Sequence, residues 1–350
     1  MLAIGMDVHK SVITAHAVPL HEEDEESRML AEEFNLKFRK FKAVNTEYEK
    51  VTEFLEEAEH CILIENSTKS HEVFWTLTDL DCTVMVAYST DLYRITKSVK
   101  KTDAYDCIEL AHYMRRKLLG ENEFSVCYIV DQKWMNRRQL CRIYSKESDF
   151  LSDTRRQIRS FITLRGISLK NNCRDITAKK SIEELEMTAD DSLKLLIDRA
   201  KTVKKRMKSC EEAILREFKD DGYFTRIYTI PGFGIMTSAY VSSMIIDIER
   251  FDTPNQFSAY FGITPKQRDS GDSAVKCGIT RRGDEILRKM LLQATFVHIS
   301  HDKDRNSPVS RMYDRKIKEG MPHKKAITAC ANKMTKILFA VLKKGEDYRF

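Results

Sequence analysis

Two short apolar runs that each end in a carboxylate constrain this chain more than any other feature of it. The first is Leu2-Ala3-Ile4-Gly5-Met6-Asp7-Val8 and the second is Cys61-Ile62-Leu63-Ile64-Glu65. Runs of this length and composition read as buried strands. An ionised carboxylate at the end of a buried strand is costly unless something pairs with it or coordinates it. A third acidic pair opens a helix-like stretch, Thr102-Asp103-Ala104-Tyr105-Asp106-Cys107-Ile108-Glu109-Leu110-Ala111, where the i,i+3 spacing puts Asp103 and Asp106 on one face of the first turn. Taken alone that pair is explained by a helix N-terminus with Thr102 as its cap. Taken with Asp7 and Glu65 it completes a set of four carboxylates. Hard oxygen ligands of this kind suit Mg²⁺ or Mn²⁺, and such a metal site serves in-line displacement at phosphorus.

The first region, to about residue 125, alternates strands and helices. The alternation of Ser11-Val12-Ile13-Thr14-Ala15-His16-Ala17-Val18 suggests an antiparallel partner for the Asp7 strand. Phe34-Asn35-Leu36-Lys37-Phe38 reads as a third strand. Helices are expected around Glu47–Glu59 and Glu72–Leu80, and a strand over Cys82–Ala87. Three strands followed by alternating helices and strands, with acids on the first strand, a later strand and the last helix, is the plan of a ribonuclease H-like fold.

The second region, 126–220, reads as almost wholly helical. Leu193, Leu196, Ala200, Val203, Met207, Cys210 and Ile214 recur with spacing 3-4-3-4-3-4, a sustained coiled-coil seam that needs a partner helix. That partner is either the basic helix preceding Gly166, giving an antiparallel hairpin, or the same segment of another subunit. A hairpin that also takes part in dimerisation is favoured. From Gln132 to Lys170 there are ten Lys or Arg against three acids. Arg137, Arg138, Arg142, Arg155, Arg156 and Arg159 are therefore candidate phosphate contacts.

The third region, 221–350, reads as mainly helical. Thr229-Ile230-Pro231-Gly232-Phe233-Gly234 looks like the turn of a helix-hairpin-helix unit, in which Gly232 and Gly234 let backbone N–H groups at a helix start approach a phosphate. The segment lacks the third glycine of a dinucleotide fingerprint. Further on, Ser270 precedes Gly271 in a polar loop and on spacing alone is a turn residue.

Composition narrows the class further. A formal net charge of +6 over 350 residues favours an anionic partner mildly. The nine cysteines form no Cys-x-x-Cys pair and no zinc-like spacing with histidine, as expected of reduced thiols in a cytoplasmic, nucleoid-associated protein. Neither a secretory signal nor an apolar run long enough for a membrane helix is expected.

Taken together, the motifs resemble those of the DEDD transposases of the IS110 (IS-one-ten) family of insertion sequences, which also includes the pilin-gene inversion recombinases. The resemblance rests on Gly5-Met6-Asp7-Val8-His9-Lys10, Lys101-Thr102-Asp103-Ala104-Tyr105-Asp106, Ile230-Pro231-Gly232-Phe233-Gly234, Phe251, Tyr260-Phe261-Gly262-Ile263-Thr264-Pro265, Ser270-Gly271, Ile279-Thr280-Arg281-Arg282-Gly283 and Leu287-Arg288. It implies a RuvC-like domain whose quartet Asp7, Glu65, Asp103 and Asp106 binds Mg²⁺ or Mn²⁺, and a C-terminal transposase domain with Ser270 as nucleophile. It implies strand exchange through a covalent phosphoserine link, donor and target DNA as partners, a noncoding guide RNA, and a homo-oligomer, dimer or tetramer. Lys276, Arg281, Arg282 and Arg288 are candidates for contacts to the DNA backbone. Two other readings stay open: a metal-dependent junction-resolving nuclease that forms no covalent intermediate, and a noncatalytic nucleic-acid-binding protein.

Overall fold

The computed structural model describes residues 1–56, 58–92, 95, 102–121, 124–169, 175–264, 269–270, 273–274, 278–280 and 283–349, with the backbone alone at 269, 270, 273 and 274. Its contacts gather into two compact units, Met1–Val130 and Asp131–Phe350.

The first unit is built on a five-stranded sheet in the order β3-β2-β1-β4-β5, where β1 is Leu2–Val8, β2 Val12–Pro19, β3 Lys40–Lys42, β4 His60–Glu65 and β5 Val84–Ala87. β1 runs antiparallel to β2 and parallel to β4, so β1 and β4 finish at the same edge of the sheet. Leu2, Ile4, Met6 and Val8 face one core together with helices α1 (Glu25–Phe38), α2 (Asn45–Leu55) and α3 (Ser70–Asp79). Ala3, with Cys61 and Leu63 of β4, faces a second core formed with α4 (Asp103–Leu118). Period-two alternation in β1 is thus filled on both faces.

Gly5 determines how closely α4 can lie on the sheet. A Cβ at this position would stand 2.2 Å from the carbonyl oxygen of Cys107 and 2.4 Å from the amide nitrogen of Ala111. Helix backbone therefore rests directly on strand backbone, an approach that only glycine permits.

The expected third strand at Phe34–Phe38 is instead the last part of α1. Ala31, Phe34 and Phe38 are buried at helical spacing while Leu36 is 87% exposed, so the period is that of a helix. The Asp24 side chain caps that helix by accepting from the Ser27 amide. The strand edge comes just after it, at Lys40–Lys42.

The second unit begins with α5 (Gln132–Leu164), α6 (Lys179–Thr188) and α7 (Asp191–Glu217). Helices α5 and α7 pair antiparallel within the chain: Cys141 meets the core that holds Ile214 and Phe218, whereas Leu151 and Ile158 share a separate small core with Leu193, Ile197, Ala200 and Val203. The main core gathers α8 (Gly222–Tyr228), α9 (Ile235–Ile245), α10 (Pro254–Tyr260), α11 (Glu285–His301), α12 (Pro308–Lys318) and α13 (His323–Lys344). One carboxylate joins three of these helices. Asp221 accepts from Arg137 of α5 (2.9 Å), from the Phe224 amide of α8 (2.8 Å) and from the Ser242 hydroxyl of α9 (2.8 Å).

His298 is buried in the same core, its Nδ1 2.8 Å from the Pro231 carbonyl and its Nε2 2.7 Å from the Ser307 hydroxyl. Burial lowers its pKa below the ordinary 6.5, against the Pro231 hydrogen bond and the charge of Asp302. Among the described cysteines none is in a disulfide, and burial pushes Cys61, Cys82, Cys107 and Cys330 up to about 11. No described helix is long and apolar enough to cross a membrane.

Two expectations follow. Gly5→Ala drives a methyl group into helix backbone, so thermal denaturation should show it destabilised by about 3 kcal/mol or more, roughly 10 °C in Tm. For His298, the unfolded chain takes up a proton near pH 6.5 but the folded chain only at lower pH. Stability is thus full above the unfolded value and is lost as pH falls through the folded one. Melting curves between about pH 7 and about pH 5 should fall less steeply for His298→Gln than for the wild type, although the variant starts about 1 kcal/mol lower through lost hydrogen bonding.

Candidate functional site

Parallel register brings the first two acids together. Met6 is paired with Ile64, and Asp7 and Glu65 are the next residues of β1 and β4 at the same edge of the sheet. Asp7 lies on the face that Gly5 opens to α4. The first turn of α4 begins there, with the Thr102 side chain accepting from the Tyr105 amide (3.3 Å) and with Asp103 and Asp106 in that turn. Free N–H groups at a helix start favour negative charge, which offsets part of the cost of two acids in one turn.

A fifth residue enters the cluster that charge patterning alone does not identify. The β1–β2 turn folds back through a hydrogen bond from the His9 amide to the Val12 carbonyl (3.0 Å). His9 Nε2 then lies 3.2 Å from Asp7 Oδ2 and 3.3 Å from Asp103 Oδ1. One ligand atom from each of Asp7, His9 and Asp103 falls within 4.8 Å of the others. The only hint of this in the sequence is the position of His9 two residues after a strand-end acid.

Electrostatics tie the four acids into one group. The Asp7 carboxyl is held above its usual value chiefly by burial; His9 opposes this, while the charges of Asp103, Asp106 and Glu65 add to it. Directly across the sheet from Asp7 stands Thr14, 5% exposed, whose hydroxyl oxygen is buried and has no hydrogen-bond partner among the described residues. Oxygen donors crowded into mutual repulsion around a half-buried carboxylate are relieved by a divalent cation, so these residues fit one.

The other expected site residues lie in the second unit. Ser270 ends a two-residue strand, β6 (Asp269–Ser270), whose antiparallel partner β7 (Ser273–Ala274) pairs Ser270 with Ser273. Lys276, Arg281 and Arg282 lie outside the described residues.

The basic residues of α5 divide by what they touch. Arg137, expected on the surface, is buried: its guanidinium binds Asp221 and the Glu217 carbonyl and stacks on Trp134 and Phe218, at 4.7 and 4.6 Å. Its charge is spent inside the fold, which corrects the expected phosphate contact. Arg138 donates to the Ser243 carbonyl, and burial lowers its pKa. Arg142 reaches Tyr240 and Asp284, and Arg155 reaches Thr177 and Asp175, both from partly exposed positions. Arg156 is exposed on an ion pair with Asp153, Arg159 is exposed, and Arg288 of α11 is half-buried.

The two glycines of the turn between α8 and α9 differ in role. Gly232 has φ +95°, and a Cβ there would stand 2.4 Å from the Ala294 carbonyl oxygen, so this glycine is needed for packing on α11. Gly234 precedes α9, which has no side-chain cap, and its Cβ position faces open space. Of the two, Gly234 is the one beside which a phosphate has room.

Comparison with known proteins bears on the second unit most directly. Residues 225–310 match the profile of the transposase IS116/IS110/IS902 family. The chain is similar to the transposase for insertion sequence element IS1111A of Coxiella burnetii, 33% identical over 124 residues, which is 35% of this chain and 34% of that one. It is similar to the transposase for insertion sequence element IS1328 of Yersinia enterocolitica, 29% identical over 144 residues, covering 39% and 42%. A probable family 20 transposase of Pseudomonas aeruginosa is 27% identical over 157 residues, covering 45% and 46%. The matched stretches thus span less than half the length of these relatives.

Removal of one charge should separate stability from cation binding. In a chelator, Asp7→Asn is expected to melt at or above the wild-type temperature, because one of four repelling acids becomes neutral. Mn²⁺ at about a hundred times its Kd should stabilise the wild type by about 2.7 kcal/mol and leave the variant unshifted in the same melting experiment.

Proposed function

From a chain that the family match and its curated relatives support as an IS110-family transposase, we infer a DNA recombinase of an insertion sequence that cuts and rejoins DNA through a covalent phosphoserine. The observation that carries this reading is the convergence of Asp7, Glu65, Asp103 and Asp106 at one sheet edge and one helix start. The five-stranded sheet, with its antiparallel first pair and its parallel β1–β4 pair, supports a ribonuclease H-like, RuvC-like reading of the first unit. Mg²⁺ or Mn²⁺, held by these four acids, would neutralise charge on the phosphate and on the leaving oxygen.

Ser270 is the proposed nucleophile. Its Oγ attacks the scissile phosphorus, the Oγ–P bond forms, and the bond from phosphorus to the leaving strand oxygen breaks. The hydroxyl proton passes to a carboxylate base and the leaving oxygen is protonated in turn. A strand hydroxyl of the partner DNA then attacks the phosphoserine, breaks the Oγ–P bond and returns the proton to Ser270. Each displacement exchanges one phosphodiester for another, so no nucleotide cofactor is consumed.

Donor and target DNA are the proposed substrates, with backbone contacts from Gly234 at the start of α9, from Lys276, Arg281, Arg282 and Arg288, and from the exposed arginines of α5. A structured noncoding RNA as guide and a homo-oligomeric assembly complete the proposal. An RNA of this kind would be bound by shape and backbone.

The test incubates the protein with Mg²⁺, RNA transcribed from the element's own ends, and labelled donor and target DNA, and resolves the products on a denaturing gel. A protein–DNA adduct is expected in the wild type and absent from Ser270→Ala and Asp7→Ala. Cleavage that persists in Ser270→Ala without any adduct would replace this reading with that of a metal-dependent nuclease.

A further inference from the structure

The turn histidine is the residue that neither the motifs nor the family match assigns. His9 is half-exposed, yet its Nε2 leans back over the end of β1 to 3.2 Å from Asp7 Oδ2 and 3.3 Å from Asp103 Oδ1. Those separations are close to the edge of a coordination octahedron, which for metal–ligand bonds of about 2.1–2.3 Å is about 3.0–3.3 Å. A second observation points to the same place. Thr14, opposite Asp7 on the neighbouring strand, carries a buried hydroxyl oxygen without a partner among the described residues. Directly opposed residues project to one face with Cβ atoms about 4.5–5.5 Å apart. A polar atom left without a hydrogen bond there is costly unless a ligand or its coordinated water supplies one.

We propose that His9 is a ligand of the divalent cation, so that the site presents mixed nitrogen and oxygen donors from Asp7, His9 and Asp103 in place of an all-carboxylate set. This deepens, and rests on, the reading of the four acids as a metal site. Nitrogen donation has a consequence for which metal is held. Mg²⁺ is a hard cation that prefers oxygen and keeps its waters, whereas imidazole binds later divalent metals more readily. The chain therefore favours Mn²⁺ over Mg²⁺ more strongly than a quartet of acids alone would.

A purely electrostatic role for His9 makes the opposite prediction, which makes the proposal testable without any measurement of recombination. If His9 only neutralises Asp7 and Asp103, it competes with the cation, and its removal tightens metal binding. If it is a ligand, its removal weakens binding. His9 lies in an exposed turn, so His9→Gln and His9→Glu keep the fold, and the glutamate variant restores an oxygen donor.

The experiment titrates the full chain with Mn²⁺, alone and against Mg²⁺, and records pulsed electron paramagnetic resonance of the bound Mn²⁺. In the wild type, modulation from a directly bonded imidazole ¹⁴N is expected. In His9→Gln it should vanish while Mn²⁺ affinity falls about tenfold or more. In His9→Glu the nitrogen signal should vanish while Mg²⁺ competes better than in the wild type. Bound Mn²⁺ without ¹⁴N modulation, or an affinity raised in His9→Gln, overturns the proposal and leaves the carboxylate site standing. Failure of the wild type to bind Mn²⁺ at all overturns the proposal together with the metal reading beneath it.

Discussion

The contact between the backbone of β1 and the backbone of α4, made possible because Gly5 has no side chain, is the constraint on which the first unit depends. It sets the depth at which α4 lies on the sheet, and the depth in turn sets how near its first turn comes to the end of β1. Four acids that repel one another would separate if the scaffold allowed it. They are held because apolar packing of Leu110, Ala111 and Met114 on Ala3, Cys61 and Leu63 draws the helix down, and because the helix start offers unpaired N–H groups to the charges. Hydrophobic burial holds the acids together against their repulsion, and on the Asp7 carboxyl the two act alike: burial raises its pKa most, and the neighbouring acids add to that.

Part of this arrangement is legible in the sequence. Asp7 and Glu65 stood out because a charge at the end of an apolar run is an anomaly that a strand alone does not explain, and Thr102 with Asp103 marked the helix start by ordinary cap chemistry. The heptad seam of α7 packs on α5 of the same chain, one of the two partners that the repeat by itself leaves open. Parallel pairing of β1 with β4 was not legible, because register is a tertiary property. Phe34 and Phe38 were misread because residues four apart with Leu36 between them satisfy period two as well as helical spacing, and only the exposure of Leu36 separates the two.

Charge misled where it was read as exposure. Arg137 belongs to a stretch whose excess of basic residues points to phosphate, yet its planar guanidinium lies against Trp134 and Phe218 and donates to Asp221 and the Glu217 carbonyl, leaving only its buried Nε without a partner among the described residues. Arginine suits such a position because it can present several donors and two flat faces at once. His9 stands in one of the motifs, yet its place beside the acids is not legible there, for the converse reason. Nothing in its neighbours says that a turn residue will lean back over the strand it follows.

The Arg137–Asp221 pair has a mechanical meaning. Helix α5 has 33 residues and so extends about 50 Å, with its first part embedded in the main core and its far part, paired with α7, sustained by a small core of its own. That hairpin is an arm, and the ion pair is a rivet at its root that also grips α8 through Phe224 and α9 through Ser242. The root of the arm is thus tied to the two helices that flank the Pro231–Gly234 turn. Because the rivet is buried, dissolved ions screen it far less than they screen exposed charges. Salt that screens the exposed charges along the arm therefore leaves this ion pair at its root largely intact.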